Sequence, residues 1–304
     1  MIEMETTNSA AGRRLNSPHS ARSGARGVSG SSRMAPVFAI ASGKGGVGKT
    51  NVAANLAAAL ARRRRRVLAI DADMGLANLD LLFGVKPAYT LADFFSGRAA
   101  LDEIITTTAQ GVLFLPGVSG VQELTSLSAG QKLALASGLE NAAGRVDIVI
   151  VDTSSGISDA TTYFAAAAQE IVVVVTPEPT SLTDAYALIK VLARDHGQKR
   201  FRILANNVVD AEQARGLFGG LSGAAVRFLN VSLSYLGWIP NDPALLAAVL
   251  HSRLVVDEAK TSPSAQAFGA VADELIGIAA AGVRVKGNLQ FFFRQVMEGM
   301  EGAR

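Results

Sequence analysis

The chain has 304 residues, no cysteine, three histidines and a formal net charge of +3. That length suffices for one large α/β domain with a full core, and the missing cysteine excludes a disulfide framework, thiolate metal sites and iron–sulfur ligands. Residues 1–34 hold five arginines against two glutamates, so the whole net charge sits there and the remainder balances. The balanced remainder does not read as a general polyanion binder, and no specific nucleic acid is expected. His19, His196 and His251 lie too far apart in sequence to suggest a zinc site. No apolar run approaches the roughly 18 residues of a membrane span, and the N-terminus lacks the apolar centre of a signal peptide. A cytoplasmic protein is expected.

In chain order, residues 1–34 are rich in Ser, Gly, Ala and Arg and poor in large apolar side chains, which predicts a disordered tail. Met34 stands just before the first strand and is a candidate native start. The apolar run Val37 to Ala41 predicts a strand, and the Ala/Leu-rich segment Val52 to Ala61 a helix. Between them, Gly43, Gly48, Lys49 and Thr50 satisfy G-x-x-x-x-G-K-[ST]. Glycines in that pattern let backbone N–H groups turn toward phosphates while the following helix directs its positive end at them. Lys49 would reach the β- and γ-phosphates, and Thr50 would offer its hydroxyl to Mg²⁺.

Five arginines, Arg62 to Arg66, follow the helix. They read either as a solvated helix end, where cations are favoured, or as a nucleic-acid patch, and the first reading is preferred. Val67 to Ile70 predicts a strand ending in Asp71-Ala72-Asp73, which in isolation reads as a turn but stands where doubly wound sheets bind ligands. Leu91 to Phe95 and Leu101 to Ile105 predict short helices, Val112 to Leu115 a strand, and residues from about 122 to 144 a helix. Asp147 to Asp152 is a buried-strand run with a terminal carboxylate, a Walker B layout, in which Asp152 would hold Mg²⁺ through water. Thr153-Ser154-Ser155-Gly156 is expected as a flexible turn. Further strands are predicted at Ile171 to Val175, Phe201 to Val208 and around Leu236 to Ile239, and a closing helix from about Ser264 to Ala281. The alternation predicts an α/β fold, a doubly wound, mainly parallel sheet with helices on both faces.

A second lysine in the loop, Lys44, makes Lys44-Gly45-Gly46-Val47-Gly48-Lys49-Thr50 similar to the phosphate loop K-G-G-x-G-K-[ST] of the MinD/ParA ATPases. In that family the first lysine reaches the partner's nucleotide, so the resemblance implies ATP and Mg²⁺ as ligands and an ATP-dependent homodimer. It implies that Gly43, Lys44, Gly45, Gly46, Val47, Gly48, Lys49, Thr50 and Asn51 surround the phosphates. Asp71 to Asp80 resembles the switch I segment D-x-D-x-G-L-x-N-L-D, in which Asp73 would position the attacking water and the Mg²⁺ shell and Asn78 would sit near the γ-phosphate. Asp152 to Gly156 resembles switch II, D-[ST]-x-x-G, and Thr176 to Ala185 the segment bordering the dimer interface. Asn206 aligns with the adenine-binding Asn, and Pro240 and Asp242 with G-x-I-P-x-D near the base. By resemblance, then, Lys44, Lys49 and Asp73 are the catalytic candidates, and Thr50, Asp73 and Asp152 serve Mg²⁺.

The stretch Leu115-Pro116-Gly117-Val118-Ser119-Gly120 brings the chain nearest to the flagellar number regulators FlhG/FleN. Their partners are an SRP-type GTPase, FlhF, and in some a flagellar transcription activator, FleQ. The D-Q-A-x-x-L-R element by which many such members stimulate the GTPase is absent from residues 1–34. Alternatives are a division-site or chromosome-partitioning ATPase of the MinD/ParA type, and a nucleotide-dependent transcription anti-activator whose hydrolysis only resets it. Turnover is expected to be slow without a stimulating partner. The family resemblance gives an ATPase domain at 35–282, followed by a linker and an amphipathic helix within 283–304. At 100° per residue Leu289, Phe292, Phe293, Val296, Met297 and Met300 share one face. Residues 288–300 therefore read as a membrane-surface helix, with packing on the domain as the other reading, and Phe291, off that face, is assigned to a docked state.

Overall fold

The computed structural model describes residues 35–73, 78–117, 130–131, 134, 137–138, 141–142, 144–282, 292, 294–295 and 298. The expectations for 1–34, for 74–77 of switch I, for the Val118-Ser119-Gly120 stretch, for most of the helix predicted from 122, and for most of the C-terminal segment lie outside them.

Strands β1 (Val37–Ser42), β2 (Val67–Ala72) and β6 (Glu170–Val175) are buried at every residue. Continuous burial requires cover on both faces, and the alternation along β1 shows it. Val37, Ala39 and Ala41 enter one apolar layer with β6, while Phe38 and Ile40 enter another with helix α1 (Lys49–Arg62). The remaining strands are β3 (Thr106–Thr107), β4 (Leu113–Leu115), β5 (Ile148–Ser155), β7 (Arg200–Val208) and β8 (Ser232–Pro240). Sheet order is β3-β4-β2-β5-β1-β6-β7-β8, with every pair parallel except β3 with β4. This is the doubly wound sheet that the residue pattern predicts.

Helices α5 (Asp159–Ala167), α6 (Pro179–Arg194) and α7 (Ala211–Leu229) line the first layer; α1 and α10 (Pro263–Ala280) line the second. Short helices α2 (Leu79–Phe83), α3 (Leu91–Phe95), α4 (Leu101–Ile104), α8 (Pro243–Leu250) and α9 (Val255–Glu258) fill the connections. Helix starts repeat one device: Asp242-Pro243 and Ser262-Pro263 pair a capping oxygen with a proline, whose missing N–H costs nothing in the first turn.

Two expectations are refined. Thr153 to Ser155 is not a flexible turn but the end of β5. Ser155 pairs with Ser42, the Thr153 hydroxyl donates to the Ile40 carbonyl at 3.0 Å, and the turn begins only where Gly156 N–H donates to Ser42. The arginine run is a stapled helix end: Arg62 pairs with Asp257 at 2.8 Å, Arg66 with Asp147 at 2.7 Å, and Arg63 grips Asp273 with two nitrogens. These pairs fasten the end of α1 and the start of β2 to Asp257, Asp273 and the residue before β5.

Candidate nucleotide site

The carboxyl ends of β1, β2 and β5 define the site. β1 stops at Ser42, whose hydroxyl donates to the Lys44 carbonyl at 2.9 Å and bends the chain into the loop. Gly46 (φ 80°) and Gly48 (φ 84°) take left-handed backbone, which a side chain would strain. Gly43 serves packing, because a Cβ there would lie 2.0 Å from the Asp184 carbonyl oxygen of α6. The loop is thus pressed against α6 at its start and released into α1 at Lys49, whose first-turn N–H groups face the loop.

β2 and β5 run parallel in a register that sets Asp71 beside Asp152 and Ala72 beside Thr153. Both aspartates are buried to 1% exposure, and Lys49, at 6%, projects from α1 to meet Asp152 Oδ1 at 2.7 Å. Lys49 Nζ also stands 3.8 Å from Asp73 Oδ2 and 3.5 Å from the Thr50 hydroxyl. One ammonium therefore gathers Thr50, Asp73 and Asp152, the three residues expected around Mg²⁺. Burial pushes the Asp152 carboxyl upward, and the Lys49 charge is the chief influence against it. The Asp71 carboxyl is pushed up to about 7, first by burial and then by Asp152, despite amide donors from Asp73 at 3.0 Å and Leu79 at 3.2 Å and the Lys49 charge. Asp71 was singled out in the sequence only as part of Asp-x-Asp. In the fold it ties the end of β2 to the first residue of α2, spanning residues 73–79.

Asp152 Oδ2 is buried without a hydrogen-bond partner among the described residues. An orphan carboxylate oxygen at the end of a phosphate loop, beside a threonine hydroxyl, fits a hydrated divalent cation. Among the described residues no group of three or more His, Asp or Glu side chains is arranged to hold a metal ion by itself.

The other expected residues divide. Lys44 bonds within its own subunit, to the Glu178 carboxylate and, at 3.0 Å, to the Thr180 hydroxyl, both at the start of α6. Asn206, at the end of β7, donates from Nδ2 to the Val47 carbonyl at 2.7 Å and so braces the phosphate loop. A Cβ on Gly48 would stand 2.6 Å from that nitrogen, a second reason for glycine there. Asn206 Oδ1 and Asn51 Oδ1 are buried and unpartnered among the described residues. Asn78 precedes α2 and contributes its carbonyl to the Leu82 amide at 3.4 Å. Pro240 ends β8, and Asp242 accepts from the Ala244 amide at 2.9 Å and from the Ser264 amide and hydroxyl at 2.9 and 2.6 Å. Burial works to raise the Asp242 carboxyl, but the Ser264 and Ala244 donors outweigh it and hold it below the usual range. Asp242 therefore joins the starts of α8 and α10. In the sequence Glu178 and Thr180 stood out only as part of the Thr176 to Ala185 segment and Ser264 only as the start of the closing helix, none of them as partners of Lys44 or Asp242.

The profile of the AAA domain family matches residues 35–203. The antiactivator FleN of Pseudomonas aeruginosa is 43% identical over 269 residues, spanning 88% of this chain and 96% of that protein. The chain belongs to the MinD/ParA family of P-loop ATPases. Among other MinD/ParA relatives, the flagellum site-determining protein YlxH of Helicobacter pylori is 34% identical over 86% of this chain and 89% of its own length. MinD of Pyrococcus horikoshii, solved with Mg-ADP, superposes with a TM-score of 0.64 at 27% identity, covering 83% of this chain and all of that one. In this member Lys49 is seated on the Asp152 carboxylate and Lys44 is held at α6.

Proposed function

We propose that this protein is an ATP-dependent dimerising switch that hydrolyses ATP and regulates flagellar number or placement. The observation that carries the reading is the convergence of Lys49, Thr50, Asp73 and the half-satisfied Asp152 behind a loop of MinD/ParA form. The flagellar assignment rests on the FleN and YlxH relatives.

ATP enters a loop whose N–H groups and Lys49 bind the β- and γ-phosphates. Lys49 then exchanges a buried carboxylate for phosphate oxygens, which leaves Asp152 and Thr50 to hold the cation. Mg²⁺, when bound, neutralises charge on the β- and γ-phosphates. Asp73 orients the attacking water, and Asn206 Oδ1 offers an acceptor to the amino group of the base. Lys44 leaves Glu178 and Thr180 to reach the second subunit's nucleotide, so that two chains enclose two ATP molecules. Turnover is slow until a stimulating partner completes the site, because a switch that hydrolyses at once cannot hold a state.

The output we favour is association with a membrane surface through residues 288–300, gated by ATP. No described helix is long and apolar enough to cross a membrane. Phe292 is fully buried beside Phe164 of α5, with ring centroids 6.0 Å apart, so membrane binding requires its release. Phe291, expected to serve the docked state, lies outside the described residues; Phe292 occupies that role. A second output, restraint of a transcription activator such as FleQ, is favoured by the name of the FleN relative, and FlhF is the other candidate partner.

Light scattering and liposome co-sedimentation with ATP, ADP and no nucleotide test the reading. Dimers and pelleting are expected with ATP only, and Asp73→Ala is expected to trap the dimer without hydrolysis. A chain that remains monomeric with ATP and Mg²⁺ refutes the switch; dimers that do not pellet refute the membrane output and leave the transcriptional one.

A further inference from the structure

The expected machinery assigns nothing to Ser154, yet its hydroxyl donates to Asp73 Oδ1 at 3.1 Å. The contact follows from strand register. Parallel pairing sets Asp71 against Asp152 and Ala72 against Thr153, and one residue beyond the end of β2 the same course brings Asp73 beside Ser154. Alternation sends the neighbouring Thr153 hydroxyl the other way, to the Ile40 carbonyl at 3.0 Å. Thr153 thus fastens the end of β5 to β1 while Ser154 reaches across to the segment after β2. The switch II pattern D-[ST]-x-x-G leaves the position of Ser154 open, so the motif assigns it no role.

We infer that Ser154 is a positioning residue for ATP hydrolysis, holding the Asp73 carboxylate in the orientation from which it directs the attacking water. The inference rests on the role proposed for Asp73. Asp73 directly follows β2 at the edge of the undescribed residues 74–77, and its amide donates to Asp71 Oδ1 at 3.0 Å. Its side chain meets Lys49 only at 3.8 Å, and Lys49 turns to the phosphates when nucleotide binds. The Ser154 bond comes from a strand end fixed to β1, and it does not depend on that cation. It fixes Oδ1 and thereby aims Oδ2, since the two oxygens of a planar carboxylate cannot be placed independently. It also makes one structural unit of the two segments flanking the γ-phosphate, so that movement of the 152–156 strand end is transmitted to Asp73.

A hydroxyl bond to a carboxylate that matters only when the water is aligned should appear in turnover and not in ATP affinity. Steady-state ATPase assays with the full chain are therefore run on the wild type, Ser154→Ala, Ser154→Thr, Asp73→Asn and the Ser154→Ala/Asp73→Asn double variant, with nucleotide affinity measured in parallel. Ser154→Ala should lower kcat on the order of tenfold with ATP affinity unchanged. Ser154→Thr keeps the hydroxyl on a half-exposed strand end and should restore most of the rate. In the Asp73→Asn background, where the carboxylate is gone, removing Ser154 should cost nothing further. Loss of ATP affinity with kcat preserved, equal loss in the Thr and Ala variants, or equal loss in both Asp73 backgrounds overturns the inference. If Asp73→Asn itself turns over at the wild-type rate, the role proposed for Asp73 fails first; an inactive Asp73→Asn with a fully active Ser154→Ala defeats the Ser154 inference alone.

Discussion

The two ends of the sheet use the same charged groups to opposite effect. At the amino-terminal edge, Arg62, Arg63 and Arg66 meet Asp257, Asp273 and Asp147 at partly exposed positions. Water screens those pairs and every carboxylate has its cation. At the carboxyl edge a single cation, Lys49, faces Asp152, Asp73 and the neighbouring Asp71, two of them buried to 1%. The first arrangement is saturated and fastens the fold. The second gathers three carboxyls about one ammonium among the described residues and leaves an oxygen of Asp152 unpartnered.

Removing the cation at each end separates the two most sharply. Lys49→Ala should lower ATP affinity by about 100-fold or more, and should cost about 3 kcal/mol of stability at pH 8 because Asp152 is left buried without its cation. Urea denaturation at pH 5, where carboxyls of raised pKa take up protons, should show a smaller deficit. An equal deficit at both pH values would remove the distinction between the two ends.

Next in size is the pH dependence carried by Asp71. Its folded value, about 7, stands above the ordinary 3.8. The folded state therefore binds more protons between these values, and the stability tied to that proton is whole below pH 3.8 and lost as pH rises through about 7. Without nucleotide, the wild type should weaken from pH 5 to pH 8 more than Asp71→Asn does, as read from the urea midpoints. Parallel profiles would place the excess negative charge elsewhere.

Asn206→Ala should have a smaller effect. Losing the donor to Val47 should cost about 1 kcal/mol in stability and about tenfold in ATP affinity, measured by denaturation and by titration with ATP. The smallest change is expected from Arg63→Ala at the saturated end: at most about 1 kcal/mol in denaturation, with KM for ATP unchanged. A shift in KM there would mean that the two ends communicate.

Much of the site was legible because its chemistry is local. Glycine spacing, Lys49-Thr50 at the start of α1, and carboxylates closing apolar runs all lie within short stretches whose backbone the residue types dictate. The extent of β5 was not legible. Thr153-Ser154-Ser155-Gly156 has the composition of a turn, and long-range pairing with Ala72 and Ser42 and the bond to the Ile40 carbonyl keep three of its residues in the strand. Asn206 and Asp242 look like turn residues in sequence for the same reason. Their partners, Val47 and Ser264, lie 159 and 22 residues away.

By itself the sequence determined the alternation of strands and helices, the phosphate loop, and the carboxylates at strand ends, since hydrophobic periodicity and glycine freedom act over a few residues. Tertiary structure alone decided which charges share a cation, that Lys44 rests on Glu178 and Thr180, that Phe292 packs beside Phe164, and that Ser154 meets Asp73. Those contacts depend on strand order and register, which are set by the packing of two apolar layers across the whole sheet.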